Sequence, residues 1–293
     1  LPESRGIFSS NKKGGMKMSG AFFAGTRPGK TVTYGKATFE LPINYYRDDF
    51  FALFFTASYE KIKALMPSNN LYPVRAFGGK AVLGFGAYNY IDTTIGPYGE
   101  IGVVVPVVYG KNPLPYLPVL IEARYPNFGL LVLHLPVTRV EARDAGRGEW
   151  GYTKFMADMH FTITPEYNEV RMDEEDQNIL TIRVMKNGVI FRDQKPLVTF
   201  SVKNQKLIKT TVAQRGICKK CFLTSGSFLK LGNHPVAQSL KELELSEAPL
   251  QTRYYMERSG ILPSGVVVEE GVKPMEGYYG KERVARHTVS YLA

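Results

Sequence analysis

Apolar and polar residues alternate with a period of two along most of this chain, which predicts strands far more often than helices. Segments 32–41, 50–57, 80–90, 100–109, 130–135, 152–164, 179–185, 196–202, 206–214 and 222–231 each read as a strand bounded by Gly, Pro, Asn or Asp. Several carry Val, Ile, Phe and Tyr on both faces, as strands covered on two sides do. Asn187-Gly188, between two apolar runs, predicts a hairpin turn of type I′. Helical spacing is confined to short stretches. Segment 58–66 sets Ile62, Leu65 and Met66 on one face and stops at Pro67; segment 235–243 spaces Val236, Ala237, Leu240 and Leu243 in the same way. Thr138-Arg139-Val140-Glu141 has the form of a capping box, opening a helix that ends near Gly146. With no internal repeat and no linker between compositional blocks, the pattern predicts one mainly β (β-rich α+β) domain over 31–270. A barrel or sandwich with a few peripheral helices fits it.

Composition changes this picture little. The chain has 293 residues, 44% hydrophobic, with 18 Tyr and 17 Phe against one Trp, enough to bury a large aromatic core. No apolar run reaches the ~20 residues that span a bilayer, and the first 30 residues hold no secretory apolar block. The chain opens on Leu1, which reads as a processed start. The net charge of +10 is unevenly placed. Arg5, Lys12, Lys13, Lys17, Arg27 and Lys30 face only Glu3 within 1–30, a flexible basic arm rich in Gly and Ser. Neither zinc-finger spacing nor an RRM-like motif accompanies it, so no nucleic acid and no membrane partner is expected. Residues 271–293 read as a C-terminal tail.

Cysteine and histidine offer little chemistry. Cys218 and Cys221 form a lone Cys-x-x-Cys without the second pair that a structural zinc needs, and strand-like flanks argue against a redox helix. Two reduced thiols fit a cytoplasmic protein. His134, His160, His234 and His287 have no metal-type spacing; His234 before Pro235 reads as a cap for the helix that follows.

One lysine stands in an unusual setting. If 152–164 is a strand, Trp150, Tyr152, Lys154, Met156 and Asp158 share a face and Phe155 points the other way. Lys154 is then either a surface residue with a buried stem or an amine made easy to deprotonate. At the ordinary pKa of about 10.4, only ~1 lysine in 2,500 is a neutral nucleophile at pH 7. Bringing that value near neutrality takes about 4–5 kcal/mol of differential solvation, which an apolar pocket or a nearby cation can supply.

The stretch Gly-x-Gly-x-Trp-Gly-Tyr-Thr-Lys-Phe ending at Phe155 resembles the acetoacetate decarboxylase family's Gly-Arg-Glu-x-x-Gly-Phe/Tyr-Pro-Lys. Two more segments follow the family's order. Asn44-Tyr45-Tyr46-Arg47-Asp48-Asp49-Phe50-Phe51 is similar to its arginine-containing entry to a first helix. The stretch from Tyr98 to Val107 is similar to its Tyr-x-Glu-x-x-x-x-x-Pro-Val strand. The segment Lys230–Ala237 resembles one in the family's wider branches, and the likeness spans roughly 36–265.

The resemblance implies a closed or nearly closed antiparallel β-barrel whose cavity holds Lys154, Glu100 and Arg47, lined by aromatics such as Tyr152. Lys154 would form a Schiff base, Glu100 would handle protons or orient the substrate, and Arg47 would bind the substrate carboxylate as a planar bidentate donor. It implies a lyase acting on a small keto-acid substrate, a homo-oligomer, and no metal or organic cofactor, since the imine itself is the electron sink. Four positions depart from the family pattern: Phe155 stands where a second lysine follows the nucleophile, Thr153 where Pro precedes it, and Gly86 and Gly148 where glutamates are expected. A changed carboxylate set alters where protons go after the imine forms. Decarboxylation of a β-keto acid, an aldolase, dehydratase or hydratase reaction on an α-keto acid such as pyruvate, and a small-ligand-binding barrel without turnover all stay open.

Overall fold

A computed structural model describes residues 21–122 and 124–293. Its strands are, in chain order, β1 (Thr31–Tyr34), β2 (Ala37–Glu40), β3 (Ile43–Ala57), β4 (Leu71–Pro73), β5 (Ala81–Thr93), β6 (Tyr98–Tyr109), β7 (Phe128–His134) and β8 (Asp158–Ile163). There follow β9 (Tyr167–Glu174), β10 (Gln177–Met185), β11 (Val189–Asp193), β12 (Leu197–Lys203), β13 (Lys206–Cys221), β14 (Phe228–Leu231), β15 (Gln251–Leu262), β16 (Val266–Glu270) and β17 (His287–Tyr291). Helices are short: α1 (Tyr59–Ala64), α2 (Leu117–Leu120), α3 (Val140–Ala145) and α4 (Pro235–Lys241).

Seven strands close into a barrel in the order β13-β12-β7-β6-β5-β3-β15, with β15 pairing back onto β13. All neighbours are antiparallel except β12 and β7, which meet in parallel over Thr199↔Leu130 and Phe200↔Leu131. A five-stranded sheet, β14-β10-β9-β8-β17, covers one side of the barrel.

The two-sided apolar strands follow from this arrangement, because side chains alternate between faces. Phe51, Leu53 and Phe55 of β3, Leu83 and Phe85 of β5, and Ile101, Val103 and Val105 of β6 point outwards. They pack on Met159, Phe161, Val170, Leu180 and Ile182 of the covering sheet. The alternate residues Phe50, Ala52, Tyr90, Val132 and Val212 point into the barrel. The main core therefore lies between barrel wall and sheet, and the barrel interior holds a second apolar cluster, richer in tyrosine, with a few polar side chains among it.

Several local expectations change. The stretch 32–41 is a hairpin turning at Gly35, with β1 pairing only with β2. The expected strand 152–164 begins at Asp158. Thr138 does not cap a helix: Arg139 is the N-cap, and the Thr138 hydroxyl accepts from Gly99 N at 2.9 Å, tying this loop to β6. Nor does Asn187-Gly188 close a hairpin, because β10 belongs to the covering sheet while β11 pairs with β13. The link there carries the chain from sheet to barrel. His234 does cap α4, its Nδ1 accepting from Val236 N at 3.2 Å while Nε2 meets Glu174 at 2.8 Å. Residues 287–291 add a strand to the sheet, parallel to β8. Of the basic arm, residues 1–20 lie outside the described residues; Phe22 and Phe23 form part of a helical turn beside Tyr46. Among the described residues no helix is long and apolar enough to cross a membrane.

Candidate active site

Lys154 reaches the barrel interior from a segment that is extended but mostly outside any ladder. Leu135 N donates to Thr153 O at 3.0 Å and Val137 N to Phe155 O at 2.9 Å, so residues 153–155 lie along 133–137 like a strand edge. Alternation then does what the sequence predicted locally. Tyr152, Lys154 and Met156 face inwards, whereas Phe155 joins the core outside. Asp158 departs from that face: its carboxylate is buried against Arg283 and Arg286. A turn of π-helix, Gly146–Trp150, feeds the segment. Any Cβ at Gly146 would overlap the Cδ and Cε of Lys154, so glycine there makes room for the lysine stem. Arg147 Nε donates to Lys154 O at 2.8 Å and fixes the backbone that carries the amine.

The amine sits in a chamber of about 90 Å³, several times the roughly 10–15 Å³ that one water needs. Lys154 is 4% and Glu100 7% exposed, and Nζ donates to Glu100 Oε2. Burial pushes the amine below the ordinary lysine value, and the Glu100 carboxylate pulls it part of the way back. Glu100 comes from β6, where it shares the inward parity of Gly102 and Val104, and its Oε1 also accepts from Tyr90 OH at 3.3 Å.

Tyrosines make up much of the wall: Tyr45, Tyr88, Tyr90, Tyr98 and Tyr152 all line the chamber. Burial raises the phenol pKa of each, Tyr152 to about 12, so all remain protonated donors at neutral pH. Tyr45 OH and Tyr98 OH lie 3.2 Å apart, and Tyr152 OH is 2.8 Å from Thr199 Oγ1.

The expectation that Arg47 shares this cavity does not hold. On β3 the inward parity belongs to Asp48, Phe50 and Ala52, and register shifts on both sides of Arg47 leave it exposed on the outer wall. The guanidinium in the chamber is Arg258 of β15, 6% exposed. Its Nη1 donates to Asp48 Oδ2 at 2.5 Å, and it lies over the stacked Phe50 and Tyr88 rings at 5.1 and 5.0 Å. Burial raises Asp48 to about 6 despite the arginine beside it. Sequence reading missed Arg258 because Gln-Thr-Arg-Tyr-Tyr-Met-Glu-Arg-Ser, the body of β15, has too few apolar residues to show alternation. Alternation placed Tyr152 beside Lys154, whereas Tyr45, Tyr88, Tyr90 and Tyr98 were visible as β-formers with nothing local to tell that they faced inwards.

Gly86 offers no carboxylate to the chamber, and a Cβ there would stand 3.0 Å from the Phe50 ring, which would have to give by a few tenths of an ångström. Both cysteines are free, Cys218 buried in the barrel. Among the described residues no cluster of His, Cys, Asp and Glu could hold a metal ion.

The sequence matches the family model described as acetoacetate decarboxylase (ADC) over residues 27–268, which includes every residue lining the chamber. The chain belongs to the acetoacetate decarboxylase family. Among solved structures it is similar to acetoacetate decarboxylase from Legionella pneumophila, with 17% identity and a TM-score of 0.59 over 90% of this chain and 99% of that one. It is also similar to the enduracididine biosynthesis enzyme MppR, solved with pyruvate, at 10% identity and a TM-score of 0.60, covering 83% and 99%. A third is an acetoacetate decarboxylase-like enzyme from Sphingomonas wittichii RW1, at 11% and 0.56, covering 78% and 93%. At these identities the likeness is one of fold. No curated protein sequence matches the chain.

Proposed function

We propose that this acetoacetate decarboxylase-like enzyme is a lyase that binds a small oxo acid as a Schiff base on Lys154. A single observation carries the reading: an ε-amine withdrawn from water and set against one carboxylate inside an aromatic chamber. The neutral amine attacks the substrate carbonyl, water leaves, and a protonated imine remains. With a β-oxo acid the electron pair of the C–C bond to the carboxylate then flows into the imine. Carbon dioxide departs, the enamine takes a proton at carbon, and hydrolysis returns the amine. Glu100 is the group placed to move protons at Nζ, and the tyrosine hydroxyls are the neutral donors for charge that develops on the substrate oxygen. Arg258 replaces Arg47 as the candidate partner of the substrate carboxylate, its fork suited to bidentate pairing.

A second reading keeps the imine and changes the bond broken. Arg258 is buried and would hold a carboxylate as a stable anion, which favours keeping it over losing it. An α-oxo acid such as pyruvate, deprotonated next to its imine by Glu100, would then give an enamine for aldol or dehydration chemistry. The single carboxylate beside Lys154 and the lack of a second one at Gly86 support this reading, as does the fold's likeness to an enzyme solved with pyruvate.

Borohydride reduction in the presence of acetoacetate or pyruvate, followed by mass mapping, tests both. The expected result is an adduct on Lys154 that is absent from Lys154→Met. Carbon dioxide release with acetoacetate selects decarboxylation; an adduct with pyruvate and no carbon dioxide selects the second reading. No adduct with any oxo acid leaves a ligand-binding barrel without turnover and ends the proposal.

A further inference from the structure

The ladder between β3 and β15 is interrupted beside the chamber. β15 pairs with β3 up to Tyr254↔Phe51 and resumes only at Gly260↔Tyr45, so residues 255–259 and 46–50 face each other without ladder pairs between them. Bulges flank the gap on both sides: β3 shifts register around Arg47, and β15 shifts against β13 between Ile217 and Cys218. Side chains take over from the ladder there: Ser259 Oγ donates to Tyr46 O at 3.2 Å, and Arg258 Nη1 donates to Asp48 Oδ2 at 2.5 Å.

Outside the gap lies a cleft of about 290 Å³ lined by Tyr46, Arg47, Arg192, Arg215, Glu257 and Arg258, among others. Arg258 lines this cleft and the Lys154 chamber alike. Its side chain is 4% exposed, and its buried Nε has no hydrogen-bond partner, although Nη1 is held by Asp48. A buried guanidinium donor left open is unusual and points to a ligand acceptor. Arg47, Arg192 and Arg215 form no ion pair among the described residues; Arg215 is placed by the Phe22 ring, 4.9 Å from its guanidinium. Within the cleft Glu257 is the one opposing lining carboxylate, and Asp48 stands behind Arg258. Four guanidiniums against two carboxylates give a concave surface that concentrates anions.

We propose that this cleft is an anion-binding vestibule, in which Arg47, Arg192 and Arg215 capture the carboxylate of the oxo acid outside the wall. Arg258 then receives it on the chamber side of the gap. The assignment of the anion as an oxo acid rests on the imine reading above. The vestibule itself needs only a small carboxylate or similar oxyanion. It also gives Arg47 a place in carboxylate recognition, at the door and not at the amine.

Phenylglyoxal labelling with peptide mapping by mass spectrometry tests the site directly. Sulfate, which cannot form an imine, and pyruvate are the protecting probes. The expected result is several-fold slower labelling of Arg47, Arg192 and Arg215 together with either probe, with the exposed Arg124 unchanged. Equal labelling with and without both probes overturns the proposal. A second measurement compares two substitutions of identical charge, Arg192→Glu in the cleft and Arg124→Glu away from it. Arg192→Glu should raise the pyruvate or acetoacetate concentration for half-maximal imine trapping about tenfold, and Arg124→Glu should leave it in place. The same shift in both variants would mean a bulk charge effect and would also overturn the vestibule. Protection by sulfate in a protein that traps no oxo acid would retain the anion site while ending the imine reading.

Discussion

At the scale of single residues, the electrostatics of Lys154 are a contest between burial and Glu100. Burial favours the neutral amine, while the carboxylate and its hydrogen bond favour the ammonium. The net fall below the ordinary value of about 10.4 means that the neutral nucleophile appears at lower pH than for a free lysine. Replacing Glu100 by Gln removes both opposing influences, so the amine should titrate lower still. The acid limb of borohydride-trapped imine formation is therefore expected to move to lower pH in Glu100→Gln. Turnover should fall by roughly 10²–10⁴-fold, because the proton-transfer group is gone. A limb that stays in place, or moves upwards, would show that Glu100 does not govern the amine.

At the scale of elements, the decisive piece is the irregular passage from α3 through the π-turn to the lysine. Gly146→Ala preserves a helix-compatible backbone, since Gly146 itself sits at φ −66°, but it drives a methyl into the stem of Lys154. A displacement of about 1 Å at a nucleophile can cost on the order of 10²-fold in rate. We expect single-turnover imine formation to fall by about that factor while circular dichroism at 25 °C is unchanged; a rate within twofold of the parent would sink the steric argument. This passage also marks where the sequence stopped being legible. The inward parity of Tyr152 and Lys154 was readable from alternation, as were most barrel strands, because both depend on neighbours a few residues apart. Arg258 and the outward turn of Arg47 were not. The first lies on a strand with little apolar contrast, and the second depends on bulges that shift parity by one residue. A motif can place an arginine near a strand without telling which side of the wall it meets. Thr138 shows the same limit: its spacing to Glu141 suited a cap, yet its hydroxyl was claimed by a backbone amide from β6.

At the scale of the whole molecule, residues 272–291 act as a strap across the back of the lysine segment, beyond the end of the family match at residue 268. Tyr278 packs edge-on against Phe155 at 4.9 Å and donates to Glu174 at 2.7 Å. Tyr279 O accepts from Arg147 Nη2 at 2.8 Å, the same guanidinium whose Nε holds Lys154 O. Arg283 and Arg286 pair with the buried carboxylate of Asp158, which receives 2.7 Å and 2.6 Å hydrogen bonds from Arg283 Nη2 and Arg286 N. Those bonds hold the Asp158 carboxyl below the usual carboxylate range against the opposing effect of burial. Ending the chain at Gly271 removes every one of these ties at once. Stripping the partners from a buried charge costs about 3–5 kcal/mol, which for a domain of this size is a fall in Tm of roughly 6–20 °C. The more telling measurement is made well below the lowered Tm. If the strap keeps water from the lysine segment and anchors Arg147, the shortened protein should trap its imine with an acid limb shifted upwards, towards the ordinary lysine value. Asp158→Asn in the full-length chain separates the two roles, since it removes the ion pairs with Arg283 and Arg286 but leaves Tyr278 and Tyr279 in place. It should lower Tm with little movement of the limb. A shortened chain that melts lower yet keeps the parental limb would confine the strap to holding the sheet together, and the dryness around the amine would then be the work of the barrel alone.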